Sequence, residues 1–197
     1  MPVQQRSVAT RAALLDAAID CVVERGYAAT TTIETVRRAG VSRGAQLHHF
    51  PTKAELLSEA VERLFDRRRA EFMEAFEAIH PKADRLDAAL DLLWSMFQGP
   101  EFVAWTELWV AARTDPELAA KVLDVERRFT DETRAMFGEL FPEETPSGTL
   151  LHDVGRDFAF ALMQGVALQR LHPEGRRPAS DYVDVLKAVF HLVRGER

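Results

Sequence analysis

The chain has 197 residues, 47% of them hydrophobic, and a formal net charge of −6 at pH 7. A chain of this length can bury a core without disulfides, and its one cysteine, Cys21, has no partner within the chain. No segment has the roughly 18 consecutive apolar residues of a membrane helix, and the N-terminus lacks the pattern of a signal peptide. We therefore expect a cytoplasmic protein with no membrane contact.

The charge is unevenly distributed along the chain. Residues 1–53 hold seven Lys and Arg against four Asp and Glu, whereas residues 54–197 hold 18 against 27. A small basic segment followed by a large acidic one permits contact with phosphates at one end only. The acidic part also argues against a protein that packs DNA over its whole surface.

The first four predicted elements are helices. Residues 10–25 have apolar side chains at helical spacing, and Gly26 follows as a C-terminal cap. Thr31 and Glu34 have the spacing of a capping box that starts a short second helix. Its Ile33 and Val36 are expected to face inward, and Gly40 ends it. Ser42 opens a third short helix, which Phe50-Pro51 closes, and a second capping box, Thr52 with Glu55, opens a long fourth helix.

The rest of the chain is also predicted to be helical. Prolines and glycines separate helices over residues 83–98, 101–113, 116–140, 148–171 and 180–194. Asp115 before Pro116 is typical of an N-cap followed by a first-turn proline. No stretch shows the period-two alternation of a strand. The sequence therefore predicts an all-α protein of about nine helices.

The stretch GVSRG, residues 40–44, has two interpretations. It matches the nucleophile elbow of serine hydrolases, but that motif needs a strand before Ser42, and a helix is predicted there. Alternatively, Gly40 makes the turn of a helix-turn-helix, Val41 is its apolar plug and Ser42 caps the second helix. The second interpretation is favoured, and we expect no catalytic residue and no enzyme activity.

The spacing around this stretch resembles a known family. Residues 10–61 are similar to the N-terminal domain of the TetR family of bacterial transcriptional regulators. The similarity rests on Gly26-Tyr27, on T-T-I-x-x-V in the second helix, on A-G-V-S-R-G and on H-F-P-x-K. It implies a helix-turn-helix DNA-binding domain over residues 1–53 and a helical ligand-binding and dimerisation domain over residues 54–197.

The resemblance also implies a function and a set of DNA-binding residues. The expected protein is a homodimeric repressor on a palindromic operator in double-stranded DNA, released by a small, largely apolar ligand. A regulator without a ligand is the alternative. The residues expected at the DNA are Thr32, Ser42, Arg43, Gln46, Leu47, His48, His49 and Lys53.

These residues have different expected roles. Arg43 suits guanine, to which it can present two donors, and it equally suits a phosphate. His49 and Lys53 are expected to hold the DNA backbone. Family members commonly have an apolar residue and a tyrosine where this chain has Gln46-Leu47. The DNA contact of that tyrosine is thus either missing or replaced by an apolar contact from Leu47, as with a thymine methyl. Gln46 either packs in the core or reaches the groove.

The larger domain concentrates aromatic residues, which are either core or the lining of a ligand pocket. The expected pocket residues are Trp94, Phe97, Phe102, Trp105, Trp109 and Met163. The last two helices carry apolar residues along one side and are expected to form the dimer interface. Arg67 to Arg69 are interpreted as a solvated face. No cofactor and no metal are expected, because the adjacent His48 and His49 point about 100° apart on a helix.

Overall fold

The structure, a computed structural model, describes residues 3–80, 83–141, 150–171 and 177–194. Within these ranges the chain forms helices and no strand, which confirms the predicted all-α fold. None of the described helices is long and apolar enough to cross a membrane. The helices are α1 (Val3–Ala29), α2 (Thr32–Ala39), α3 (Arg43–His49), α4 (Lys53–Glu77), α5 (Arg85–Met96), α6 (Pro100–Ala111), α7 (Pro116–Leu140), α8 (Leu150–Gln169) and α9 (Ala179–Arg194).

Gly26 interrupts α1 near its C-terminal end. Its backbone has φ 75° and ψ 167°, a conformation that costs glycine little and other residues much. A Cβ atom on Gly26 would also lie 2.8 Å from Oε2 of Glu107. The predicted cap is thus a kink, after which Tyr27 to Ala29 make one further helical turn toward α2.

The predicted starts and ends of the short helices are confirmed by hydrogen bonds. The Thr31 hydroxyl accepts a bond of 3.2 Å from the amide of Glu34, and Gly40 ends α2 in the left-handed conformation at φ 66°. The second capping box is reciprocal. The Glu55 amide donates to the Thr52 hydroxyl at 3.1 Å, and the Thr52 amide donates to the Glu55 carboxylate at 3.3 Å.

The helices form two compact units. One consists of Met1–Arg68 and Gly99–Glu132, and the other of Arg69–Gln98 and Thr133–Arg197. Helices α4 and α7 contribute residues to both. The boundary expected between residues 53 and 54 separates DNA-contacting residues from the rest and stays a prediction.

The first unit has a core built mainly from α1, α4 and α6. Helix α1 packs on both α2 and α6. The largest side chains in this core are fully buried: Leu14, Leu15, Phe50, Leu56, Leu57, Leu108 and Leu118. This core fixes α2 and α3 against α1, and so determines which of their side chains face outward.

The second unit has its own core of aromatic and aliphatic side chains. Phe72, Phe76, Leu90, Met163 and Phe190 are buried in it, and α9 packs on α5 and α8. Large apolar side chains nevertheless stay exposed on α8 and α9, namely Val154, Phe158, Leu168, Val185, Val189, Leu192 and Val193.

The arginines at the middle of α4 differ from the prediction. The buried carboxylate of Glu101, in the first turn of α6, accepts a bond of 2.9 Å from Arg67 and one of 3.1 Å from Arg68. Arg67 and Arg69 are exposed, as expected of a solvated face, and the difference is that Arg67 and Arg68 also fasten α4 to α6. Glu101 lies 34 positions after Arg67 in the chain, so the local pattern of α4 does not indicate this contact.

Candidate nucleic-acid interface

Helices α2 and α3 are joined by a three-residue turn. The Val41 amide donates to the Val36 carbonyl at 3.3 Å, and both side chains pack against the core of the first unit. Thr35 is fully buried, with its hydroxyl donating to the Thr31 carbonyl at 3.0 Å. The turn thus has the helix-turn-helix geometry that the sequence predicts.

Ser42 is the N-cap of α3. Its hydroxyl oxygen accepts a bond of 3.1 Å from the amide of Ala45, and its backbone is extended at φ −81° and ψ 153°. The residues before it belong to helix α2, not to a strand. A nucleophile elbow requires that strand, so the structure supports the cap and not the hydrolase.

Arg43 begins α3 and reaches back to the start of α2. Its Nη1 donates to the hydroxyl of Thr32 at 3.3 Å, and both groups are accessible. This contact brings two residues that were predicted to meet DNA onto one surface, although 11 positions separate them in the chain.

The other arginines of α2 are paired with carboxylates. Arg37 donates to Glu34 at 2.6 and 2.9 Å, and Arg38 donates to Glu24 at 2.5 and 2.8 Å. The hydrogen bond from Arg37 lowers the pKa of Glu34 to about 2, so these pairs stay charged at neutral pH. Arg43 is the arginine of α2 and α3 that meets a neutral hydroxyl, and its charge is therefore available for a phosphate or a base.

The rest of the outward face of α3 is formed by Leu47 and His48, which are both exposed, and by His49, which is half-buried. Burial, followed by the nearby His48 and Arg11, lowers the pKa of His49. The two histidine rings lie edge to face with centroids 5.3 Å apart. His49 is thus neutral in the free protein near pH 7.

Gln46 lies on the opposite side of α3. Its side chain has no exposed surface, and its Nε2 donates to the carbonyl of Phe50. The groove position considered for Gln46 is corrected to the core, because an internal acceptor was available at the end of its own helix. The Phe50 carbonyl lies four residues after Gln46 in the chain. The sequence alone does not indicate whether the Gln46 side chain donates to this carbonyl or to water.

Lys53 is engaged within the protein. Its Nζ donates to the Tyr27 carbonyl at 2.5 Å and lies 3.9 Å from the centre of the Tyr27 ring. Burial lowers the pKa of Lys53, and the Asp115 carboxylate partly opposes this shift. One of the three N–H groups of the ammonium is thus used internally, and contact with the DNA backbone through the others stays a prediction.

The position of Ile33 differs from the one that the sequence predicted. It was expected to face inward, but it is 70% exposed on α2, next to Thr32. Thr35 occupies the inward position instead, because its hydroxyl is satisfied within the helix. This exposed branched side chain, which follows Thr32 in α2, is an apolar part of the candidate interface.

The six expected pocket residues are divided between the two units. Phe102, Trp105 and Trp109 belong to the first unit, where Trp105 packs edge to face on Phe65 with centroids 5.2 Å apart. Trp94, Phe97 and Met163 belong to the second unit and pack in or against its core. A cavity within the second unit is lined by other residues, and none of the six is among them.

One group of possible metal-ligand side chains occurs among the described residues. Atoms of Asp84, Asp87 and His191 lie within 4.8 Å of one another. Asp84 is the N-cap of α5, accepting from the Leu86 and Asp87 amides, and Asp87 lies 2.8 Å from the His191 ring. Helix capping and the contact of α5 with α9 account for this group.

The chain is similar to known bacterial regulators. The model of the N-terminal domain of bacterial regulatory proteins of the tetR family matches residues 14–60. The uncharacterised HTH-type transcriptional regulator Rv2912c of Mycobacterium tuberculosis is 36% identical over 147 residues. These cover 72% of this chain and 75% of that protein.

Solved structures share the whole fold at lower identity. A TetR-family transcriptional regulator from a Rhodococcus species has a TM-score of 0.76 at 22% identity, over 95% of this chain and 99% of its own. A transcriptional regulator from Saccharomonospora viridis, solved in complex with choline, has a TM-score of 0.70 at 19% identity. The match covers 92% of this chain and 95% of that one.

Proposed function

The chain belongs to the TetR family of helix-turn-helix transcriptional regulators, and we propose that it is a homodimeric repressor which a small, largely apolar ligand releases from a palindromic operator. The family is one of DNA-binding regulators rather than enzymes. The observation that carries the proposal is the outward face of α3, where Arg43 contacts Thr32 and meets no carboxylate among the residues that the structure describes.

The DNA contacts follow from the chemistry of that face. Arg43 offers a guanine two parallel donors in the major groove, where G presents O6 and N7 as acceptors. Thr32 and the remaining donors of Lys53 suit phosphate oxygens, which position a protein without reading sequence. His48 and His49 add donors at the C-terminal end of α3, and Ser42 contributes by capping the helix.

Dimerisation is supported by the exposed apolar side chains of α8 and α9. A surface of this kind, with Phe158 on α8 and Leu192 on α9, is unusual on a monomer unless it meets a partner. Two copies of one helix pair can form a two-fold interface. A two-fold dimer presents two α3 helices to the two halves of a palindromic site.

Ligand control is supported by a relative and by the second unit. The similar regulator from Saccharomonospora viridis was solved with choline, so a protein of this fold holds a small molecule. In the present chain the second unit encloses a cavity of about 40 Å³ among apolar side chains. A ligand that binds one conformation better than another shifts the population toward it, which is how it would weaken DNA binding.

Selection of bound duplexes from a random pool tests the proposal. We expect the ligand-free protein to enrich a palindromic sequence. Leu47→Asp, which places an acid on the exposed face of α3, should abolish enrichment by repelling phosphates. Leu123→Asp is the matched control, because Leu123 is an exposed leucine of α7. Failure to enrich any sequence, or enrichment that survives Leu47→Asp, would contradict the proposal.

A further inference from the structure

The cavity of the second unit has an unusual wall. Among the described residues, five phenylalanines line it, and so does a single charged side chain, that of Arg156 on α8. Arg156 is only 8% exposed. Arginine is rarely buried without strong pairing, because taking its charge out of water is costly.

The pairing of Arg156 is local and weak. Its Nε and Nη2 both donate to one oxygen of Asp157, at 2.9 and 2.5 Å. Consecutive residues of a helix do not face each other, and the Asp157 side chain is 56% exposed to water. The carboxylate of this pair is thus shared with solvent, which weakens the pair. Most of the donors of the guanidinium are therefore left for another acceptor.

The volume and the lining of the cavity limit which ligands can supply that acceptor. Its volume of about 40 Å³ is near that of one water in the liquid, about 30 Å³. A ligand must therefore displace side chains when it enters, and it must have an apolar body to replace their contacts. A positively charged ligand such as choline would meet the guanidinium and be repelled. A carboxylate would meet a planar donor pair that fits it in two parallel bonds.

We propose that the ligand of this cavity is a small carboxylate with an apolar body, and that its carboxylate binds the Arg156 guanidinium in place of Asp157. This inference rests on the proposed ligand response and names the chemical class of the ligand. Entry of the acid breaks the Arg156–Asp157 pair and expands the packing around Phe137 and Phe160, which line the same cavity. The chemical change on binding is thus local to α8 and its neighbours in the second unit.

Thermal unfolding with matched probes tests this assignment. Hexanoate and benzoate should raise the unfolding temperature of the full chain, because a molecule that binds only the folded state stabilises it. Hexanamide and benzamide, which have the same shapes without charge, should do so much less, and choline not at all. An equal shift from the amides, a shift from choline, or no shift from either acid overturns the proposal.

Substitutions test whether Arg156 binds the acids. Arg156→Gln should weaken binding of the acids on the order of 10- to 100-fold, the usual range for a lost hydrogen bond to a charged group. Asp157→Asn should tighten it, because the competing carboxylate is gone. Arg170→Gln is the control, since Arg170 is an exposed arginine directly after the end of the same helix. Unchanged acid binding in Arg156→Gln overturns the assignment, and if that variant does not fold, weaker binding in Asp157→Asn overturns it.

The test is separate from that of the proposed function. Operator selection uses ligand-free protein and does not depend on Arg156. If a palindrome is enriched but the acids have no effect, the proposed DNA-binding function is retained and the proposed carboxylate ligand is rejected. Failure to enrich any sequence removes the proposed function, whatever the acids do.

Discussion

Tyr27 and Asp115 are joined by a hydrogen bond of 2.8 Å although 88 positions separate them in the chain. The tyrosine hydroxyl donates, and the acceptor is the carboxylate that also caps α7 by accepting from the Leu118 amide at 3.0 Å. The Tyr27 amide donates to Glu107 at 3.0 Å. The residue just after the kink of α1 is therefore held by the end of α6 and by the start of α7.

Tyr27→Phe tests the strength of this connection. We expect the free energy of unfolding to fall by about 1 kcal/mol, the usual net contribution of one such hydrogen bond. The ring that lies under Lys53 is retained. Chemical unfolding of the two proteins measures the difference. Tyr182→Phe is the control, and an equal loss in that variant would show that removal of any tyrosine hydroxyl has the same effect.

Arg43→Ala tests the assigned base contact. Binding of the selected operator should weaken by about 1–3 kcal/mol, the range for a lost bidentate arginine–guanine contact, and specificity should relax at one base pair. Titration of labelled DNA at fixed salt measures both effects. Arg127→Ala, which removes an exposed arginine of α7, should bind as the unchanged protein does. Full affinity in Arg43→Ala would remove Arg43 from the interface.

The exposed side chains of Ile33 and Leu47 are expected to contact thymine methyl groups. Replacing each operator thymine in turn by deoxyuridine removes one methyl, and contact with it contributes about 0.8 kcal/mol, or about fourfold in affinity. The unchanged protein should lose affinity at particular positions. Ile33→Ala or Leu47→Ala should be insensitive at one of them. If no thymine is sensitive in the unchanged protein, neither residue reads a methyl.

His49 should make operator binding dependent on pH. Burial lowers its pKa below the ordinary value in the free protein, whereas a phosphate beside it favours the charged form. Binding then takes up a proton, so the affinity should rise as the pH falls below about 6.5. His49→Gln should reduce this dependence, and His80→Gln, which changes an exposed histidine of the second unit, should not. Identical pH profiles for all three proteins would exclude the contact.

Phe158→Asp tests the proposed dimer interface. The side chain is 51% exposed in a single copy, so the substitution should leave the fold of the chain intact and place a charge within an interface. Sedimentation velocity should show a dimer of the 22.2 kDa chain for the unchanged protein and a monomer for the variant. Leu123→Asp on α7 is the matched change outside α8 and α9. A variant that stays dimeric would place the interface elsewhere.

The short polar signals of the sequence predicted the local structure well. Thr31, Gly40 and Thr52 act within three or four residues of their partners, so spacing alone determines what they bond. The same holds for Asp115 at the start of α7. Helix-turn-helix geometry is made of such local bonds, and this explains why its helices lie where the sequence placed them.

Side-chain direction was harder to predict where a buried polar residue donates a hydrogen bond within the protein. Thr35 and Gln46 are polar by type, yet both are fully buried because a carbonyl four residues away accepts their hydrogen bond. With Thr35 inward, Ile33 is left outside. The cavity of the second unit was missed for a different reason. It forms between distant helices, and the aromatic density of residues 94–109 reflects packing within each unit.

The contact between Arg43 and Thr32 leaves a donor free on the hydroxyl. Arg43 donates and the Thr32 oxygen accepts, and a hydroxyl that accepts one hydrogen bond keeps its own O–H group to donate. In the proposed complex, Thr32 can therefore donate to a phosphate while its oxygen still supports the arginine that reaches for a base. One small side chain would then serve the strand and the groove together, so that its removal would weaken both.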